Sequence, residues 1–395
     1  MVAPSWGVYH DGMTIDENGT LGRRRDMRFA ASNDRLPAAD VVICAYTSKR
    51  EAFLRRAIAS VVDQDQAERV IVVIDHAPEL FGVLAGDPTL GGGVAVVENA
   101  YEQGLSGARN TGVDHAIAPV VAFLDDDARA DPGWLEAIRR AHADPTIVGT
   151  GGWVAPEWED GVCPAWLPQE FWWTVGCSYR GLPTDPMAVI RNPIGASMSF
   201  ARAPLKAVGG FRSGLGRIGT TPLGCEETEA AIRVRALVPG SKIVQLTGTR
   251  VGHHVPHTRT TWSYFRDRCL AEGRSKAMVV GAAGARDGLS SERRYALRVL
   301  PAGVLRGFRD VARGDLSGLY RSGAIVAGVS LAVAGYLLGR RELVPDAGAA
   351  PADSAQRSRA PRSAIALLPV VAGIGLWIRH RTRTSGSGRL GRRRR

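Results

Sequence analysis

The run Val120-Val121-Ala122-Phe123-Leu124, closed by Asp125-Asp126-Asp127, constrains this chain more than any other stretch. Five consecutive apolar residues read as a strand buried on both faces, as in sheets covered by helices on each side. Such a strand delivers its carboxylates to the carboxyl edge of the sheet, where ligands of open α/β folds collect. Three adjacent carboxylates repel one another, and a divalent cation or other cationic ligand relieves that repulsion. Helix capping is the weaker explanation. Asp131-Pro132 already offers an N-cap with proline at N1, ahead of Trp134, Leu135 and Ile138.

Upstream, Asp40 to Tyr46 is a short buried strand ending at Thr47. Phe53, Leu54, Ala57, Ile58, Val61 and Val62 then share one face at helical spacing. Val70–Ile74 predicts a second strand, ending in Asp75-His76, and Val94–Val97 a third. Strands alternating with helices at this spacing predict βαβ units and a mostly parallel sheet. The segment Gly104-Leu105-Ser106-Gly107-Ala108-Arg109-Asn110 sits directly before the aspartate strand. Glycines let backbone approach a phosphate, and helix amides with Arg109 favour its charge. Polar residues thus end three strands, at Thr47, Asp75 and Asp125–Asp127, and one nucleotide bound across them explains all three.

The order of these motifs resembles the family 2 glycosyltransferases of GT-A fold, over roughly residues 40–260. The resemblance implies an α/β fold, a mixed, mostly parallel Rossmann-like sheet flanked by helices. It also implies a nucleotide-sugar donor, a divalent metal (Mg²⁺ or Mn²⁺) and transfer with inversion. On matching positions it implies that Thr47, Asp75, Gly107, Arg109, Asn110, Asp125 and Asp126 bind the nucleotide-sugar, and that Asp125 and Asp127 serve the metal. Gly224-Cys225-Glu226-Glu227 lies where that family has a Glu-Asp pair whose second member is the base. Glu227 takes that role by position, a longer side chain than the usual Asp, with Glu226 as the fallback. The histidine that completes the metal site in related enzymes corresponds to His254, with His253 as the alternative.

Ile147–Val154, Gly195–Phe200 and Lys242–Leu246 read as further strands, and Ala203–Val208 as a short helix. The tryptophans Trp153, Trp158, Trp166, Trp172 and Trp173 suit packing under a long loop, with one or two at an acceptor pocket. The segment from Thr261 to Lys276 mixes aromatics with cations, which suits a diphosphate or lipid headgroups.

The net charge of +11 is concentrated at one end: residues 281–395 hold 21 Lys+Arg against 7 Asp+Glu. Residues 281–321 form a basic amphipathic stretch, and 322–339 is free of charge and long enough to span a bilayer. A linker (340–363), a second apolar run (364–378) and a basic tail (379–395) follow the catalytic domain at 39–280 and its lead-in at 1–38. An anionic membrane is the expected partner; nucleic acid is not, since no matching module occurs. Five cysteines without C-x-x-C spacing point to reduced thiols and a cytoplasmic catalytic domain. The expected activity is therefore sugar transfer to a lipid-linked or glycan hydroxyl at the cytoplasmic membrane face. The competing readings are nucleotidyl transfer to sugar phosphates and a membrane-tethered nucleotide-binding protein without turnover.

Overall fold

A computed structural model describes residues 36–64, 67–213, 224–283 and 295–342, preceded by three short strands at Val8–Tyr9, Met13–Ile15 and Leu21–Arg23. These three pair antiparallel within the lead-in. The second apolar run at 364–378, the basic tail and most of the linker lie outside the described residues.

The first four apolar runs become strands β1 (Ala39–Ala45), β2 (Arg69–Ile74), β3 (Val94–Glu98) and β4 (Val120–Asp125). They lie parallel in the order β3-β2-β1-β4. The intervening helices are α1 (Glu51–Val62), α2 (Pro78–Leu84) and α3 (Leu105–His115), and α4 (Trp134–Ala141) follows. Val41, Ile43, Ala122 and Leu124 pack with Leu54, Ile58, Trp134 and Leu135 in one layer. Val42, Val121 and Phe123 point the other way, against Ala108, Val113 and Val234. Burial on both faces is why these strands read as unbroken apolar runs rather than alternating ones.

The second half of the sheet is built differently. Strands β5 (Ala128–Ala130), β6 (Ile147–Trp158), β7 (Ala188–Ile190), β8 (Ser197–Ala201) and β9 (Lys242–Val255) complete the order β7-β9-β6-β8-β4-β1-β2-β3. Strand β8 joins β4 and β6 antiparallel, whereas β6 and β9 run parallel. Helices α5 (Arg202–Ala207) and α6 (Glu226–Leu237) cover the layer shared with α3. This is the mixed, helix-flanked α/β sheet that the family resemblance implies. Strand β9 outruns its predicted end at Leu246: after a register shift between Gln245 and Arg250 it continues to Val255 and pairs with β5. That extension carries His253 to the edge occupied by the aspartates.

One local expectation fails. Asp131 does not cap α4; the N-cap is Gly133 in left-handed conformation (φ 80), which makes no side-chain cap. The Asp131 carboxylate instead faces Arg129 at 3.4 Å and Arg250 at 3.7 Å.

The chain then forms α7 (Trp262–Ala283), α8 (Leu300–Ala312) and α9 (Ser317–Glu342). Phe171, Phe265, Cys269, Leu300 and Ile325 make their common core with the Trp-rich segment. Helix α9, with mean hydropathy 1.7 over its most apolar window, is long and apolar enough to cross a membrane by length and composition. Its glycines at 318, 328, 335 and 339, however, face protein: a methyl group on Gly335 would fall on the Leu270 carbonyl, and one on Gly273 of α7 on that of Ala332. Small residues therefore bring the α7 and α9 backbones into contact. Gly335→Val should force them apart and cost about 1–3 kcal/mol, seen as a lowered thermal midpoint, whereas Gly323→Ala, where a methyl group meets nothing within 4 Å, should not.

Candidate active site

The carboxyl ends of β1, β2 and β4 open into a cavity of about 630 Å³. Asp75, Arg109, Asp125, Asp126, Asp127, Glu226, Glu227 and His253 all line it. Residues up to 178 positions apart in sequence thus meet at one sheet edge, as the strand-end pattern predicts.

Compensating charge dominates the site. Arg50, on the turn after β1, places Nη1 2.8 Å from Asp126 Oδ1 and 2.6 Å from Asp127 Oδ2. Its guanidinium also stacks on Tyr46, 4.8 Å from the ring centre. Arg259 Nη2 lies 3.4 Å from Asp127 Oδ2, and His253 Nε2 lies 3.2 Å from Asp127 Oδ1. Burial alone would raise the Asp127 pKa, but His253, Arg259 and Arg50 together hold it well below the usual carboxylate range. Burial opposes protonation of His253, yet Asp127 outweighs it and pushes the imidazole up to about 10. Asp126 goes the other way, to about 7, through burial and the adjacent Asp127 charge. Its Oδ2 is buried without a hydrogen-bond partner among the described residues.

Carboxylate oxygens of Asp125 and Asp127 and a ring nitrogen of His253 lie within 4.8 Å of one another. Two carboxylates and an imidazole are a donor set that suits Mg²⁺ or Mn²⁺, imidazole favouring the latter. The histidine whose ring joins this group is His253 rather than His254. The His254 ring turns away and stacks on Phe53 at 4.2 Å, while its backbone N–H donates to the Asp127 carbonyl at 2.9 Å. Neighbouring strand residues point to opposite faces, so only one of the pair can face Asp127.

Arg109 is fully buried and bridges two groups of opposite charge, Glu226 at 2.6 Å and Asp125 at 3.5 Å. Glu226 is therefore committed to a buried ion pair. Its neighbour Glu227 is half-buried toward the cavity, and burial, reinforced by the Glu226 charge, raises its pKa well above 4.5. Cys225, which starts α6, holds the left-handed conformation (φ 73), and His76 beside Asp75 does so too (φ 51). Left-handed backbone at non-glycine residues costs about 1–2 kcal/mol, and here it flanks two cavity-lining acids. Asp75 accepts from Asn99 Nδ2 at 2.7 Å and the Gly104 N–H at 2.9 Å, which fixes its carboxylate.

Three expected contacts do not form part of the cavity. Thr47 Oγ1 accepts from the Lys49 N–H at 3.3 Å and caps the turn that carries Arg50. Gly107 packs against the Glu102 carbonyl, where a side chain would clash, so its smallness serves loop packing. Asn110 exchanges hydrogen bonds of 2.8 Å with the Phe211 backbone, tying α3 to the turn before α6. Of the tryptophans, Trp173 lines the cavity, while Trp158 and Trp172 pack edge-to-face at 5.6 Å.

The profile of glycosyl transferase family 2 matches residues 40–199. A glucosyl-dolichyl phosphate glucuronosyltransferase of Haloferax volcanii is 30% identical over 241 residues, covering 60% of this chain and 76% of that protein. The chain belongs to glycosyl transferase family 2. A pre-mycofactocin glycosyltransferase of Mycobacterium tuberculosis is 27% identical over 177 residues, 44% of this chain and 35% of that protein. A mannosyltransferase from Pyrobaculum calidifontis, solved with GDP-Man and Mn²⁺, superposes with a TM-score of 0.47 at 18% identity, over 92% of this chain and 87% of that one. In this family 2 glycosyltransferase chain, Arg50 and Arg259 close the acid triplet. No motif announced either arginine, because each meets the aspartates only through the fold.

The two glutamates should part company on substitution. Glu226→Gln leaves Arg109 without its nearest counter-charge and should destabilise by about 3–5 kcal/mol. Glu227→Gln should do the reverse. A carboxyl whose folded pKa lies above 4.5 loses stability as pH rises past that value. The variant's thermal midpoint should therefore match or exceed the parent's, by a margin that widens from pH 5 to 7.

Proposed function

We propose that this enzyme transfers a sugar with inversion from a nucleoside diphosphate donor to a hydroxyl of a lipid-linked or glycan acceptor. The observation that carries the reading is one cavity holding both the Asp125–Asp127–His253 donor set and Glu227. Asp125, Asp127 and His253 would hold Mg²⁺ or Mn²⁺, which when bound neutralises charge on the departing nucleoside diphosphate. Arg50 and Arg259, freed from Asp127, are positioned to face the same phosphates. Asp75, held by Asn99 and Gly104, would read the base at the far end of the strand row. Arg109 aligns Asp125 and Glu226 rather than binding donor directly, given its own burial between them.

Glu227 would accept the proton as the acceptor oxygen attacks the anomeric carbon opposite the leaving group. Burial raises its proton affinity, which makes the ionised form a stronger base. The sign is fixed: activity should rise with pH through a value above 4.5, and the acid limb should disappear when the residue is replaced.

Membrane association is supported by apolar side chains exposed on and around α8 and α9, among them Phe308, Leu316, Leu319, Val326 and Leu337. Five unpaired cysteines fit a catalytic domain on the cytoplasmic side.

Nucleotide-sugars screened with and without Mn²⁺ should reveal one that raises the thermal midpoint only with metal, by mass action. That donor should release nucleoside diphosphate, not pyrophosphate, on turnover. Asp127→Asn should abolish the metal-dependent stabilisation with the far-UV spectrum unchanged. Glu227→Gln should keep donor binding and lower kcat by about 10²–10⁴-fold. Full activity in either variant contradicts the assignment.

A further inference from the structure

His253 is held at both ring nitrogens, and the strand-end acids account for only one of them. Nε2 lies 3.2 Å from Asp127 Oδ1, while Nδ1 lies 3.7 Å from the sulfur of Cys177. Both residues are buried, and both line the cavity. Cys177 stands two residues past the short 3-10 helix Gln169–Val175, within the Trp-rich segment.

The backbone fixes where that sulfur stands. The Gly176 N–H donates to the Trp173 carbonyl at 3.0 Å, and the Cys177 N–H to that of Trp172 at 3.1 Å. One residue on, the Ser178 N–H donates to the Val154 carbonyl at 2.8 Å, and the Val154 N–H to Ser178 Oγ at 2.9 Å. Val154 belongs to β6, which pairs with β9 at Val154–Val251 and again at Pro156–His253. Cys177 is thus tied to the strand beside the one that carries the imidazole. Gly176 permits the close approach. It holds φ 82, and a methyl group there would stand 3.2 Å from His253 Cε1.

The polarity of the contact follows from a second neighbour. Sγ lies 3.9 Å from the Val175 carbonyl, which can only accept. With the S–H turned to Val175, the sulfur lone pairs are left to accept from His253 Nδ1–H. An imidazole that keeps its proton on Nδ1 presents the Nε2 lone pair to the Asp125 and Asp127 group, as a cation held there requires. Histidines that ligate metals are commonly fixed in this way through their other nitrogen.

We propose that Cys177 is a positioning residue for the metal-binding group, its sulfur holding His253 in the tautomer and orientation that turn Nε2 toward Asp125 and Asp127. The proposal rests on the metal-dependent reading above and adds to it a residue outside the donor set. The competing explanation is plain packing, in which the thiol only fills space behind the ring. Threonine and valine separate the two, since they share a shape and differ in one polar atom.

The test is calorimetric titration of Mn²⁺ into the full chain. Cys177→Val should weaken Mn²⁺ about tenfold or more, whereas Cys177→Thr should stay within about threefold of wild type. Cys177→Ala and Cys177→Ser form the second pair, with the same contrast, if the branched residues prevent folding. Cys269→Ala removes a buried thiol that does not line the cavity and should leave Mn²⁺ affinity unchanged. In the Mg²⁺-loaded chain carrying ¹⁵N-labelled histidine, the His253 ring should show the Nδ1–H form in wild type and lose that uniformity in Cys177→Val. Equal Mn²⁺ affinity in all variants, equal losses in Cys177→Val and Cys177→Thr, a matching loss in Cys269→Ala, or an Nε2–H ring in the wild type overturns the proposal. If the wild type binds Mn²⁺ and the variants match it, only the Cys177 assignment falls. If the wild type binds none, the metal reading falls and takes this assignment with it.

Discussion

The contact on which this architecture turns is the one between Arg50 and the buried pair Asp126 and Asp127, at 2.8 and 2.6 Å. Two adjacent carboxylates at the end of a buried strand cannot remain ionised without compensation; leaving such a charge unpaired costs several kcal/mol. The compensating cations come from three places: the turn after β1, the end of β9, and the turn beyond it. Each is brought in by a different feature of the fold. Parallel pairing of β1 with β4 sets Arg50 beside the triplet. The irregularity in β9 and its pairing with β5 bring His253 to Asp127. Arg259 follows on the short turn His257–Arg259. Charge balance and sheet topology are thus one problem, solved at one edge.

The same edge shows what a sequence discloses and what it withholds. Strands buried on both faces announce themselves, because every residue from Val120 to Leu124 must be apolar when helices cover each side. The acid triplet and Asp75 stood out for a related reason, since polar residues at the ends of apolar runs have few structural uses, whereas Glu226 and Glu227 were singled out only by their position in the family resemblance. The choice between His253 and His254 was not legible. Side chains alternate along a strand, so a single irregularity upstream reverses which histidine faces the site. The shift between Gln245 and Arg250 is such an irregularity; Gly248 within it marks a break in the strand but not which way the register moves. Arg50 was hidden by distance, 77 positions from Asp127. Thr47, Gly107 and Asn110 were legible as special positions, but their work is capping, close packing and tethering of the turn at Phe211.

The carboxyl-terminal helices show a different limit. The apolar run beginning near Ser322 was evident from composition, and its helix is long enough for a bilayer. Composition could not say which face would meet protein. Glycines at 328, 335 and 339 draw α9 against Phe171 and α7, leaving Val326, Leu337 and Leu338 outward. Helix α9 therefore has one face lining the cavity and another that is exposed and apolar, an arrangement invisible to a hydropathy average.

The central claim is that Arg50 balances the charge of Asp127, so that a divalent ion held by Asp125, Asp127 and His253 would compete with the guanidinium for it. Calorimetric titration of Mn²⁺ into the wild-type chain and into Arg50→Gln, without nucleotide, tests this directly. The expected result is saturable binding in both, about tenfold tighter in the variant, the equivalent of ~1.4 kcal/mol. Equal or weaker Mn²⁺ binding after removal of the guanidinium, or none in either protein, would contradict the account.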